Sequence, residues 1–155
     1  MRSEDVAALL VIGIVAAILI FYFLSARGPS RQVTIANPDG SKASVSAEVA
    51  DNPFTRAKGL MGRASLGEDE GMLFVFGSPG NHSFWMFNTT IPLDGIFIAE
   101  NGTIVDVVPM QPCGLNVTNC PSYVAKAPAK YVLEANQGFA KRHGIVIGKS
   151  RMSLP

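Results

Sequence analysis

The stretch VAALLVIGIVAAILIFYFL, from Val6 to Leu24, contains no charge, no Pro and a single Gly. At about 1.5 Å of helical rise per residue it is long enough to cross a hydrocarbon core roughly 30 Å thick. This run divides the chain before any other feature is read. Residues 1–5 are an N-terminal tail, 6–24 a transmembrane anchor, and 25–31 (SARGPSR) a polar linker punctuated by Gly28 and Pro29. Residues 32–149 are one folded domain and 150–155 a C-terminal tail. Phe21 and Tyr22 fall near one membrane interface, with Arg27 just beyond it. A cleaved signal peptide, ending at Ser25 and Ala26, is the competing reading. Its apolar region is typically shorter and its leading residues basic, whereas here they are Arg2, Ser3, Glu4 and Asp5.

The balance of Lys and Arg around the anchor does not orient it, because Arg2 and the terminal amine face Arg27 and Arg31. Two other features favour a domain on the exterior face of the cell membrane. Asn81, Asn88, Asn101 and Asn116 each open an N-x-S/T triplet, a glycosylation acceptor only in a host that modifies it. Cys113 and Cys120 bracket the Pro- and Gly-bounded loop PCGLNVTNCP, where a disulfide stabilises an oxidised compartment's protein and two free thiols are the cytosolic alternative. A net charge of +1 provides no basic footprint for nucleic acid.

The domain reads as mainly β. QVTIA from Gln32 and ASVSAEVA from Ala43 alternate apolar and polar residues with the period of two of a half-buried strand, and NPDGS makes the turn between them. In DNPFTRAKGLMG the period changes: Asn52 caps a short helix, Pro53 suits its first position, and Gly59 or Gly62 ends it. The continuous apolar run GMLFVF, Gly71 to Phe76, predicts a strand buried on both faces. IFIAENGTIVDVV predicts a hairpin with a tight turn at Asn101 and Gly102. KYVLEA predicts another strand, QGFAKRHG a helical turn or two closed by Gly144, and IVIG a last strand. The expected architecture is a compact β-sandwich or barrel with one or two short helices behind an N-terminal transmembrane helix.

GLMGRASL, GMLFVF, FWMFNTTIPLD, YVLEANQG and GIVIG, in that order and spacing, resemble the motifs of the domain of unknown function family 192, also called UPF0127. The resemblance covers Val33 to Lys149 and implies a small β-rich fold, often preceded by a signal or anchor, with no established activity. The family pattern reads FWMKNT, so Phe87 stands where the resemblance implies a Lys. An apolar side chain there removes a charge or makes the local surface stickier.

Arg63, Asn88, Thr89, Asp94 and Glu134 are polar residues set in apolar runs, where a buried group without a partner costs roughly 1–3 kcal/mol and a charge more. One reading satisfies them internally, with Arg63 paired to Asp94 or Glu134, Asn88 bonded to loop backbone and the Trp85 ring filling the core. A sharper one gathers Arg63, Trp85, Asn88, Thr89, Asp94 and Glu134 around a shallow pocket, where an aromatic platform and oriented polar groups suit a sugar or another polar small molecule. Function then falls between a binding or interaction module, for such a molecule or for an envelope carbohydrate or protein partner, and a cell-envelope carbohydrate hydrolase. The latter needs Asp94 and Glu134 about 5–9.5 Å apart across a sugar. Trp85 also poses a local question. On a strand, Phe84 and Met86 share one face and Trp85 takes the other.

Copper is a second alternative, because Met61, Met72, Met86, Met110, Cys113, Cys120 and His82 offer soft ligands for Cu(I). Against it, Met61, Met72 and Met86 sit among Leu and Phe, where Met ordinarily fills core space. No Cys/His spacing of a zinc site occurs, and the Gly pair of GLMGR lacks the Lys-Ser/Thr of a phosphate loop. No cofactor is implied.

Overall fold

The computed structural model describes residues 12–17, 28–115, 118 and 120–153. Residues 12–17 are helical, while 6–11 and 18–24 of the expected anchor lie outside the described residues, as does Asn116. Among the described residues no helix is long and apolar enough to cross a membrane.

Among the described residues nine strands and two short helices build the domain. The strands are β1 (Ser30–Ala36), β2 (Lys42–Ala50), β3 (Glu70–Gly80), β4 (Ser83–Phe84), β5 (Leu93–Ile98), β6 (Ile104–Met110), β7 (Tyr123–Val124), β8 (Ala129–Asn136) and β9 (Arg151–Met152). Seven form one sheet in the order β6-β5-β8-β3-β2-β1-β9, and β4 pairs with β7 separately. The sheet curls into a half-barrel, and its ends meet where Thr103 bridges Arg151 and Met152 N–H donates to Gly102 O at 2.8 Å. The molecule is thus the barrel-like form of the expected architecture.

β1 and β2 show the alternation read from the sequence, with Val33, Ile35, Ala43, Val45 and Ala47 buried. Their hairpin turns at Asn37–Ser41, where Gly40 adopts φ 86°. The helix Pro53–Lys58 carries a full capping box: Asn52 accepts from Phe54 and Thr55 N–H, and the Thr55 hydroxyl receives Asn52 N–H. It ends at Gly59 and links β2 to β3 in parallel, a crossover made unusually short by its six-residue helix. Gly71–Phe74 are buried on both faces of the sheet, as the unbroken apolar run predicts.

The structure differs from the sequence expectation at three places. The β5–β6 hairpin exists, but its turn spans residues 99–103: Gly102 alone takes a positive φ, and Asn101 instead accepts Thr103 N–H at 3.0 Å. IVIG is not a strand. Ile145 N–H bonds Ala140 O and Lys149 N–H bonds Val146 O, local bonds that hold these residues in turns and leave Val146 and Ile147 exposed. The last strand lies instead at Arg151–Met152, beside β1, and β1 itself begins at Ser30, so the sheet takes in residues assigned to the tail and the linker.

Because β3, β5 and β8 are covered on both sides, the sheet separates two apolar layers. One gathers Ile35, Val45, Leu73, Ile96, Ile98, Leu133 and Phe139. The other gathers Leu60, Met72, Phe74, Phe84, Met86, Leu93, Phe97 and Val132 under the helix Pro53–Lys58 and the segment 83–91.

A candidate binding cleft floored by Glu134

Alternation along β8 decides where its acid points. Leu133 and Ala135 enter the first layer and Val132 the second, so Glu134 faces the second. Its cross-strand neighbours there are Met72 on β3 and Gly95 on β5. The side chain is only 4% exposed, and its carboxyl opens onto a cleft of about 250 Å3 between the helix Pro53–Lys58 and the β4 segment. Arg56, Lys58, Met61, Phe74, Phe84, Trp85 and Thr89 are among the residues around it. Among the described residues nothing donates a hydrogen bond to the Glu134 carboxyl and no cation offsets it. Burial alone pushes it up to about 8, so at neutral pH it is predominantly the uncharged acid.

The walls are aromatic. Phe84 meets Phe74 edge to face at 5.0 Å and Phe97 at 5.7 Å. Phe84 and Met86 are buried on one side while Trp85, on the other, is 46% exposed at the cleft, so its ring does not fill the core as the internal reading expected. The Phe87 ring stacks on Trp85 at 5.3 Å and enlarges the apolar surface there.

Most polar groups of the cleft are already engaged. Arg56 Nη1 donates to Asp51 O at 2.6 Å and Val75 O at 2.9 Å, with its guanidinium over the Phe76 ring. The Ser83 hydroxyl bonds that of Ser122, and the Thr89 hydroxyl donates to Phe87 O.

Of the six residues expected to share a pocket, Trp85, Thr89 and Glu134 do so, and three do not. Arg63 pairs with Glu48 at 2.6 Å, not with Asp94 or Glu134, and lines a separate pocket of about 70 Å3. Asn88 is used through its backbone: it holds φ 51°, donates to Gly114 O and accepts from Gly62 N–H. Asp94 alternates with Ile96 and Ile98 and therefore enters the opposite layer from Glu134. There its carboxylate accepts Gly138 N–H at 3.0 Å and Ala140 N–H at 3.1 Å, capping the helix Phe139–Arg142. With the sheet between them, Asp94 and Glu134 cannot flank one glycosidic bond, which removes the geometry that the hydrolase reading requires.

Cys113 and Cys120 form a disulfide with Cα atoms 5.1 Å apart, so neither is a thiolate ligand. Met72, Met86 and Met110 are core residues, and the His82 ring stacks on Phe76. Among the described residues no cluster of three His, Cys, Asp or Glu side chains suits a metal ion. Sequence reasoning missed Arg56 and Lys58. The available signal was the Asn52 cap, which fixes the helix that carries them in its last turn.

The family model of DUF192, described as uncharacterized ACR, matches residues 34–152. The chain belongs to this family. Among solved structures, the DUF192 chain is similar to a "putative transcription regulator" of Sinorhizobium meliloti at 33% identity and TM-score 0.73, covering 82% of this chain and 95% of that one. It is also similar to a protein of unknown function from Novosphingobium aromaticivorans at 32% identity and TM-score 0.72, covering 81% of this chain and 85% of that one. No curated protein matches the chain.

Proposed function

We propose that this DUF192 chain is a membrane-anchored module that binds a small polar molecule in the cleft floored by Glu134. One observation carries the reading: a carboxyl that is 4% exposed and bonded by no protein group among the described residues, on the floor of an aromatic-walled opening. A polar group so placed costs stability in the empty protein, and a ligand that bonds it offsets that cost. At about 250 Å3 the cleft lies just below the usual range of drug-sized sites, which suits a ligand the size of one amino acid or one sugar. The anchor rests on the length and uncharged composition of residues 6–24, and the exterior placement is supported by the Cys113–Cys120 disulfide. The net charge of +1 favours a small molecule or an envelope component over nucleic acid.

The test is a thermal-shift screen of the full chain in mild detergent against sugars, amino acids, organic acids and envelope fragments. A ligand of the native state raises the Tm by mass action. The expected hit raises the Tm of wild type and raises it less in Trp85→Ala and Glu134→Gln. A shift of equal size in both variants, or none from any compound, sinks the cleft as the site. Added protease should release the domain from intact cells, and protection would reverse the topology.

A further inference from the structure

The polar inventory of the cleft narrows its ligand class, and this inference rests on the reading of the cleft as a binding site. A monosaccharide presents several hydroxyls, each needing a partner once desolvated. Ser83, Thr89 and Arg56 Nη1 are bonded within the protein, so they offer few free positions. What remains is one buried acid on the floor, and Lys58 with the Nε and Nη2 of Arg56 at the sides. A carboxyl that shares a cleft with Phe74, Phe84 and Trp85 suits a cation, which gains both the ion pair and attraction to the aromatic rings. Arg56 and Lys58 disfavour a simple diamine and suit an anionic group at the ligand's other end.

We propose that the cleft takes an amino-acid-sized zwitterion, its ammonium set against Glu134 among the aromatic side chains and its acidic end toward Arg56 and Lys58.

The charge balance has a measurable consequence. In the empty cleft Glu134 holds its proton at neutral pH, and an arriving ammonium favours the carboxylate, so the proton leaves for solvent. The groups that face Glu134 across the sheet do not compete for this role. Met72 and Gly95 are uncharged, and Glu48, beyond Met72, is paired with Arg63. Arg56 and Lys58 are the remaining charged residues of the cleft.

The experiment is titration calorimetry of the full chain in detergent with 4-aminobutanoate, 5-aminopentanoate and 6-aminohexanoate, and with hexanoate, hexylamine and glucose as controls. At least one amino acid is expected to bind better than all three controls. Its enthalpy at pH 7 should vary with the ionisation enthalpy of the buffer, which reports proton release. Its affinity should rise between pH 6 and 8, by up to about tenfold per unit while Glu134 remains protonated. Glu134→Gln should weaken it by about tenfold or more and abolish the buffer dependence, and Trp85→Ala should weaken it without abolishing that dependence. Glu134→Gln replaces a lone buried acid by a neutral amide of the same shape, so it is expected to fold. Binding of glucose or hexanoate in preference to the amino acids overturns the zwitterion and leaves the cleft standing as a site. Amine binding unchanged in Glu134→Gln overturns it too. If no compound binds here while the thermal-shift screen finds a ligand sensitive to Trp85→Ala, only the zwitterion falls.

Discussion

Glu134 should make the protein less stable as the pH rises from 5 to 8, and Glu134→Gln should remove that dependence. In the unfolded chain the carboxyl titrates near its ordinary 4.5, while burial raises it to about 8 in the fold. Between these values the unfolded state has lost the proton and the native state retains it, so fewer protons are bound on unfolding and stability falls with pH. Stability from this site is therefore fullest below about pH 4.5, declines through the window and levels off above 8. Each unit of separation is worth about 1.4 kcal/mol, so the site costs about 3 kcal/mol at pH 7 and about 4 kcal/mol at pH 8. Gln is uncharged in both states and carries no such cost. For a domain of this size, thermal melts of the full chain in detergent should show Glu134→Gln near wild type at pH 5 and about 10 °C above it at pH 8. Opening Glu134 to the cleft gives it some access to water, so this is the upper end of the expected effect. A difference that does not change with pH, or a variant destabilised throughout, would refute the account of Glu134 as a lone buried acid.

Asp94→Ala should cost about 2–4 kcal/mol, because it strands the part-buried N–H of Gly138 and the buried N–H of Ala140. Chemical denaturation measures this, and ligand binding in the cleft should survive in a variant kept below its Tm. Mass spectrometry of the native protein should find no alkylatable thiol. Replacing both Cys113 and Cys120 by Ser should lower stability by about 2–3 kcal/mol, given their separation of 7 residues. At Asn88, with φ 51°, Gly should be tolerated, while Val should cost about 1–2 kcal/mol and loosen the segment that carries Trp85. Melting temperatures of the two variants separate these outcomes.

The elements most legible in the sequence are those with one wet face or an explicit cap. β1 and β2 announce themselves by alternation, and the helix Pro53–Lys58 by Asn52 and Pro53. Alternation separates Trp85 from Phe84 and Met86 but does not say which face is wet, and only the structure shows that Trp85 is the exposed one. The candidate site was less legible for a definite physical reason. All six residues of β5 are buried, and most of β8 is too, so apolar side chains occur on both faces and no polarity marks which layer an acid enters. From sequence alone Asp94 and Glu134 look alike; in the fold one caps a helix and the other floors a cleft on the far side of the sheet. IVIG illustrates the complementary failure. A short apolar run carries no periodicity that separates a strand from a turn, and here local bonds to Ala140 and Val146 prevail.

The meeting of the sheet's two ends also governs the order in which the molecule can assemble. The β1–β2 and β5–β6 hairpins join residues close in sequence, but β8 must enter between β3 and β5 before either half shares a core. Closure then waits on Arg151 and Met152, which pair with Ala36 and Ile35 from more than a hundred positions away. Such non-local pairing is paid for in chain entropy before contacts reward it, which places folding in the millisecond-to-second range typical of β-rich topologies. A chain still being synthesised can form its hairpins early, yet it cannot seal the barrel until its last strand is free to dock.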